Sequence, residues 1–363
     1  MPLSLDGLAY YDETARLNHD RRMVWRLPPH SGMEMDNLMT DAHGRRVDYL
    51  RISITDRCNL RCQYCMPAQG VPKLRHDEML SYEELLRITR LLVSMGISKI
   101  RITGGEPLVR KDVLYFCGEV ARIAGVKSVS LTTNGVLLDH FADGLHRAGI
   151  QRINVSLDSL DPRKYASITG KDCLNQVWRG VLRASSLGLS PVKLNSVVMR
   201  GVNDDEIEDL ARLTFQHPFH VRFIELMPMN GSEAGRLFMP SDEILERLVA
   251  LGRMSPVNSN HSNGPARHFQ FHGAAGKIGI ISPISHHFCP ACNRLRLTAD
   301  GKLRTCLFAA QETDLGSSLR QGASDGDIRR KVREAILAKP EKHLLALGGV
   351  RKCISRPMSA IGG

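Results

Sequence analysis

The first chemistry legible in this 363-residue chain lies in its cysteine spacing. Cys58, Cys62 and Cys65 place three thiols within eight residues, with gaps of three and then two. A thiolate is a soft ligand suited to zinc or to iron–sulfur clusters. A structural zinc takes four protein ligands, whereas a cubane cluster has four irons to hold. Three cysteines therefore grip three irons and leave the fourth open to a substrate or cofactor. The other readings are zinc with a remote fourth ligand, or a disulfide pair with a spare thiol.

A second triplet follows near the end, Cys289, Cys292 and Cys306, with gaps of two and thirteen. Spacing alone favours zinc here, with His286 or His287 close enough in sequence to supply a fourth ligand. Within the triplet, Asp300-Gly301 sits between alternating runs and signals a hairpin. Alternation puts Arg294 and Arg296 on one face and Leu295 and Leu297 on the other. The hairpin returns Cys306 towards Cys289 and Cys292, so one site can use all three.

The elements that position these groups follow from periodicity. Residues 49–55 alternate like a strand, so the first triplet lies on the loop after it. Further strands are expected at 99–103, 127–132, 151–156, 192–198 and 219–225, the first spanning 49–54. Helices fall between them, among others at 81–95, 112–124 and 138–148. Ser81 with Glu84 makes a capping box, and Gly96 is a stop signal. Strands alternating with helices imply βαβ units and a parallel sheet. Six such units suit an open or partial barrel. In barrels chemistry collects at the C-terminal ends of strands. The candidates expected there are Gly104-Gly105-Glu106 after strand two and Thr132-Thr133-Asn134-Gly135 after strand three. Strand four offers Asn154, Ser156 and Asp158 on one face, and strand five offers Lys193 and Asn195. Strand six carries Arg222, with Glu225 and Met227 at its end. A tight turn explains any one of these; several together line a wet, anion-binding cavity.

After residue 228 the alternation fades. A loop is expected at 229–240, an amphipathic helix at 242–252 and a linker at 255–267. Residues 1–45, with a Pro28-Pro29 break, are expected as a peripheral extension. The chain thus divides into 1–45, a core at 46–228 and a C-terminal region at 229–363.

Composition narrows the function. Lys and Arg total 49 against 38 Asp and Glu, a net charge of +11, which favours an anionic partner. There is no long basic block, and aromatics are only 5%, which weakens a base-stacking nucleic-acid reading. No apolar run approaches the roughly 18 residues of a membrane span. Acids in the first 45 residues argue against an organellar transit peptide, and a cytoplasmic location is expected. There, cysteines are metal-binding or catalytic rather than disulfide-bonded. Cys117, Cys173 and Cys353 stand apart and read as core or surface thiols.

The spacing of the first triplet after the first strand resembles the radical S-adenosylmethionine superfamily. With the second triplet and its arginine hairpin, the chain closely resembles the GTP 3′,8-cyclase family of molybdenum cofactor biosynthesis. The resemblance covers about residues 44–363. It rests on Thr55-Asp56-Arg57-Cys58-Asn59-Leu60-Arg61-Cys62, on 101–107, 222–227 and 292–296, and on the terminal Gly362-Gly363. It implies an α/β fold: a partial (βα)6 TIM-type barrel with a C-terminal extension holding a β-hairpin and a second cluster site. It implies two [4Fe-4S] clusters, one on Cys58, Cys62 and Cys65 that chelates S-adenosylmethionine. The other, on Cys289, Cys292 and Cys306, contacts guanine. Tyr64, Gly105, Glu106, Ser156 and Met227 match S-adenosylmethionine positions. Arg51, Arg101, Thr132, Lys193, Arg222, Arg294, Leu295 and Arg296 match positions around GTP. Arg51, Gly362 and Gly363 carry catalytic roles by the same resemblance. The implied reaction turns GTP into (8S)-3′,8-cyclo-7,8-dihydroguanosine 5′-triphosphate. The implied partners are GTP, a flavodoxin- or ferredoxin-like electron donor and a downstream cyclic pyranopterin monophosphate synthase. No membrane or nucleic acid is expected; a homodimer is compatible. Two other readings stay open: a two-cluster radical enzyme that modifies a peptide, and a zinc-stabilised nucleic-acid-binding protein.

Overall fold

In the computed structural model the described residues are 39–66, 70–228, 234–257, 264–309, 311–343 and 356–362. The expected extension up to residue 38, Cys353 and Gly363 lie outside them.

Six strands, β1 (Tyr49–Ser53), β2 (Lys99–Thr103), β3 (Ser128–Thr133), β4 (Arg152–Ser156), β5 (Lys193–Val198) and β6 (His220–Glu225), run parallel in sequence order. Each matches its expected span to within one residue, the usual scatter of element ends. Alternation decides which side faces what. Leu50, Ile52, Ile100, Ile102, Val129, Leu131, Ile153, Val155, Leu194, Val221 and Phe223 are buried in the hydrophobic core. Their neighbours Arg51, Arg101, Ser130, Thr132, Lys193 and Arg222 line a cavity on the other face.

Helices α1 (Tyr82–Met95), α2 (Val113–Arg122), α3 (Leu138–Arg147), α4 (Pro162–Thr169), α5 (Leu174–Ser186) and α6 (Ile207–Gln216) separate the strands. On α1 the residues Leu85, Ile88 and Leu92 recur at helical spacing and are buried in that same core. Its expected capping box is present: the Ser81 hydroxyl accepts from the Glu84 amide at 3.2 Å, and Glu84 accepts from the Ser81 amide at 2.7 Å. Such a cap is worth about 1 kcal/mol.

The C-terminal region extends this sheet at both edges. After α7 (Ala234–Leu237) and α8 (Ser241–Leu251) come β7 (Met254–Pro256), β8 (Ala266–Phe271) and β9 (Lys277–Ile281). Strand β9 lies parallel beside β6, with β8 and β7 antiparallel beyond it. Strand β10 (Arg294–Leu297) lies parallel beside β1, with β11 (Lys302–Arg304) and β12 (Thr313–Asp314) antiparallel beyond. The hairpin expected at Asp300-Gly301 is β10–β11. The result is one twelve-stranded sheet with β12 and β7 at its two ends. Helices α9 (Gly316–Arg320), α10 (Asp325–Leu337) and α11 (Met358–Ile361) complete the chain.

Three expectations change. The loop at 229–240 contains α7, and the linker at 255–267 contains parts of β7 and β8. Strand β7 is too short to show a period, and β8 (ARHFQF) is too polar to stand out. Residues 39–45, expected in a peripheral extension, are packed. Arg45 is buried, pairs with Asp41 at 2.6 Å and donates to the carbonyls of Cys289, Pro340 and Glu341. That bond ties the start of the described chain to the second cysteine triplet.

Candidate active site

A single cavity of about 390 Å³ lies on the polar face of the sheet, and all six cysteines of the two triplets line it. The first triplet sits beyond the C-terminal end of β1, on the expected loop. Its backbone is held from outside by Arg61 N–H to Thr169 O at 2.8 Å and Gln63 N–H to Ile168 O at 3.0 Å. Arg61 and Gln63 are exposed, while the three thiols turn inward. Cys58 Sγ accepts from the Leu60 amide at 3.4 Å and from Asn134 Nδ2 at 3.7 Å. Burial pushes all three thiols up, Cys65 to about 12; the charges of neighbouring thiols add to this for Cys62 and Cys65. Three buried thiols that resist ionising side by side are a donor set that needs positive metal to become thiolates.

The residues around them are specific in shape. Gly105 donates to Thr55 O at 2.7 Å, and a Cβ there would lie 2.5 Å from Arg57 O. Only glycine fits this turn. Tyr64 lines the cavity and donates to Asp158 at 2.8 Å; Ser156 and Met227 also line it. Glu106 is fully buried behind the lining, not in it. It accepts from Thr133 Oγ1 at 2.8 Å, the Asn134 amide at 2.7 Å and the Leu108 amide at 3.0 Å. Burial pushes its carboxyl up to about 7 against those hydrogen bonds. Its observed contacts support the turn that carries Asn134.

The second triplet lies near the start of β10. Cys289 opens a single 3₁₀ turn, Cys292 closes it, and Cys306 follows β11. Burial pushes the Cys289 thiol up. For Cys292, burial is outweighed by Arg294 and Lys339, which hold the thiol down at about 6; Lys339 Nζ is 3.6 Å from its sulfur. Every described cysteine is a free thiol. Among the described residues, no three His, Cys, Asp or Glu side chains gather into a set that could hold a metal ion. Three cavity-lining thiols at each place are soft donors of the number that a four-iron cluster with one open iron takes. His286 pairs with Asp242 at 2.8 Å, while His287 lines the cavity.

The charged wall differs from expectation in place. Lys193 is the first residue of β5, and Arg51, Arg101 and Arg222 are each the third of their strands. These four thus lie at the start or middle of their strands, not at the C-terminal strand ends. Register explains how they meet. Arg296, Arg51, Arg101, Ser130 and Arg152 form one cross-strand row, and Thr132, Asn154, Lys193 and His220 form another. Like charges on adjacent strands are destabilising by themselves, so nothing in the fold asks for this row. Eight basic side chains line the cavity: Arg51, Lys99, Arg101, Arg152, Lys193, Arg222, Arg294 and Arg296. No Asp or Glu is among the described residues that line it. Burial, then Arg222, Arg101 and Arg152, pushes Lys193 down to about 6. Burial lowers Arg222 to about 10 and, with Arg294, Arg296 to about 9. Such a wall calls for a polyanion.

Leu295 is fully buried on the opposite face of β10, leaving only its backbone towards the site. Lys99, Arg152 and His268 line the cavity without having been singled out from sequence. Alternation with Asn154 and Ser156 was the available signal for Arg152.

The chain end enters the same site. Met358 and Ser359 line the cavity, and the Ser359 amide donates to the Cys65 thiol. Arg296 Nη1 donates to the Gly362 carbonyl at 2.7 Å. Gly362 has φ +70°, and a Cβ there would lie 2.7 Å from Thr103 Cγ2 and 3.1 Å from Ser53 Cβ.

Comparison with known proteins agrees with this geometry. Residues 52–214 match the Radical SAM superfamily, and residues 219–345 match Molybdenum Cofactor Synthesis C. The GTP 3′,8-cyclase of Thermodesulfovibrio yellowstonii is 50% identical over 332 residues, covering 90% of this chain and 100% of that protein. That of Moorella thermoacetica is 47% identical, again covering 90% and 100%. In fold, the chain is similar to Streptococcus suis SuiB, with a TM-score of 0.56 at 14% identity, covering 88% of this chain and 78% of that one. These relatives set aside the peptide-modifying and zinc-stabilised readings. The chain belongs to the GTP 3′,8-cyclase family of radical S-adenosylmethionine enzymes.

Proposed function

We propose that this protein converts GTP into (8S)-3′,8-cyclo-7,8-dihydroguanosine 5′-triphosphate, the first step of molybdenum cofactor biosynthesis. The observation that carries it is one cavity with a thiol triplet at each of two places, and eight basic side chains without a carboxylate among its described lining residues. The cofactors are two [4Fe-4S] clusters and S-adenosylmethionine; when bound, the first cluster and S-adenosylmethionine would supply the radical that takes the ribose 3′ hydrogen.

The protein's own groups bind and orient. Cys58, Cys62 and Cys65 hold the first cluster; Cys289, Cys292 and Cys306 hold the second, beside the guanine. Tyr64, Gly105, Ser156 and Met227 surround S-adenosylmethionine, and Glu106 keeps their turn in shape. A triphosphate carries about four negative charges, which Arg101, Lys193 and Arg222 meet with charge-assisted hydrogen bonds. Thr132 lies in the Lys193 row. Arg51, Arg294 and Arg296, with the Leu295 backbone, face the nucleoside. The enclosing sheet and tail exclude water from the reacting atoms. The partner set is completed by a flavodoxin- or ferredoxin-like electron donor and a cyclic pyranopterin monophosphate synthase that receives the product. The protein works in the cytoplasm, and a homodimer is compatible with this reading. Residues 46–228 serve as the radical core and 229–363 as the substrate-side region. No described helix is long and apolar enough to cross a membrane.

Arg294→Ala and Arg296→Ala test the substrate assignment. Each removes a charged donor, worth about 1.5–3 kcal/mol when its partner is buried. GTP affinity, measured anaerobically by calorimetry, is expected to fall about 10- to 100-fold. The iron bound by the first triplet is expected to stay. Equal affinity of both variants and the parent chain for GTP would remove the basis for this site.

A further inference from the structure

The C-terminal segment reaches the cavity from a built anchor. Arg356 donates to both carboxylate oxygens of Asp300, at 3.0 and 2.9 Å. Its Nη2 also lies 3.0 Å from Glu312. The three side chains are mostly buried, at 23%, 13% and 15% exposure. Glu312 is itself held by Arg304, which is fully buried and also donates to the carbonyls of Leu307 and Ala309. Two guanidiniums and two carboxylates thus interlock. An exposed ion pair contributes little, whereas this one is forked, shared and sheltered from water.

The anchor sits on the hairpin that carries the rest of the site. Asp300 is in the turn between β10 and β11, Arg294 and Arg296 are on β10, and Cys306 follows β11. Six residues beyond Arg356, the Gly362 carbonyl meets Arg296 of that same hairpin. Between these points Pro357 precedes the single turn of α11, and the Ser359 amide meets Cys65. The span is short and is fixed at both ends and in the middle. A chain end finishing in glycine otherwise frays, because ordering it costs conformational entropy.

We propose that Arg356 is a latch: clamped between Asp300 and Glu312, it holds the C-terminal segment in the cavity and positions Gly362 against Arg296. It is a positioning residue, and its effect on turnover rests on the reading of the tail as part of the active site. The latch also makes the tail follow any movement of the hairpin, so substrate arginines and tail shift together.

Two measurements on the full chain test this. The first is the rate at which a carboxypeptidase releases the terminal glycines, which needs no cofactor. Arg356→Ala is expected to be trimmed about tenfold faster or more, as local opening becomes easier. The second is anaerobic turnover with GTP, S-adenosylmethionine and reductant. There kcat is expected to fall about 10- to 100-fold while KM for GTP stays within about threefold. Arg356→Lys, which keeps the charge without the fork, is expected to fall between on both readings, and serves alone if the alanine variant does not fold. Parental trimming rates in these variants would overturn the latch. Faster trimming with full kcat would keep the latch and overturn the tail's place in the reaction.

Discussion

Replacing Cys58, Cys62 and Cys65 together by alanine is expected to remove roughly half of the bound iron and all cleavage of S-adenosylmethionine. The three thiols share one loop, and that loop is held by contacts that do not involve sulfur. Arg61 and Gln63 bond to the end of α4, and Gly105 and Glu106 bond to Thr55 and Arg57. The fold should therefore survive the loss of the thiols. The second triplet lies beside a different strand and is anchored separately, by Arg45 on the Cys289 carbonyl and Lys339 near Cys292. Its cluster should remain, so the absorption of the whole protein near 400 nm should fall by about half and not vanish. Iron analysis and anaerobic assay of 5′-deoxyadenosine check both parts. Unchanged iron in the triple variant would mean that these thiols hold no cluster.

Deleting Gly362 and Gly363 is expected to abolish cyclisation while folding, iron content and GTP binding stay near normal. Gly362 occupies a slot that admits no side chain. Its φ is positive, and a Cβ would press into Thr103 and Ser53. Gly362→Ala should therefore damage turnover nearly as much as the deletion, through both strain and clash. The deletion leaves the hydrophobic core contacts untouched, so its Tm should move by only a few degrees. The measurement is product formation with excess S-adenosylmethionine and reductant. Full activity in the truncated protein would make the tail an ordinary frayed end.

Much of this arrangement was legible from residues alone, and the reasons differ by element. Strands β1 to β6 showed because each alternates an apolar and a polar side over five or six residues. The β10–β11 hairpin showed because Asp300-Gly301 is a strong local signal. What stayed hidden was non-local. Nothing in Arg294-Leu295-Arg296-Leu297 says that this strand pairs in parallel with Tyr49–Ser53, almost 250 residues earlier. That pairing is what brings Arg296 into the row of Arg51, Arg101 and Arg152. The general expectation that site groups gather at C-terminal strand ends placed the first cysteine triplet well and the cations badly. Here the cavity extends to the N-terminal halves of the strands, where Lys193 and Arg152 begin β5 and β4. Arg45 was missed because a lone arginine in a weakly periodic segment carries no signal of its buried partners.

The most direct measurement supplies GTP deuterated at the ribose 3′ position to the anaerobically reconstituted protein. The reaction also contains S-adenosylmethionine and reductant. Mass spectrometry then follows the label. Deuterium is expected to leave GTP and to appear in 5′-deoxyadenosine as the cyclised product accumulates. Cleavage of S-adenosylmethionine with unlabelled 5′-deoxyadenosine and unconsumed GTP would contradict it.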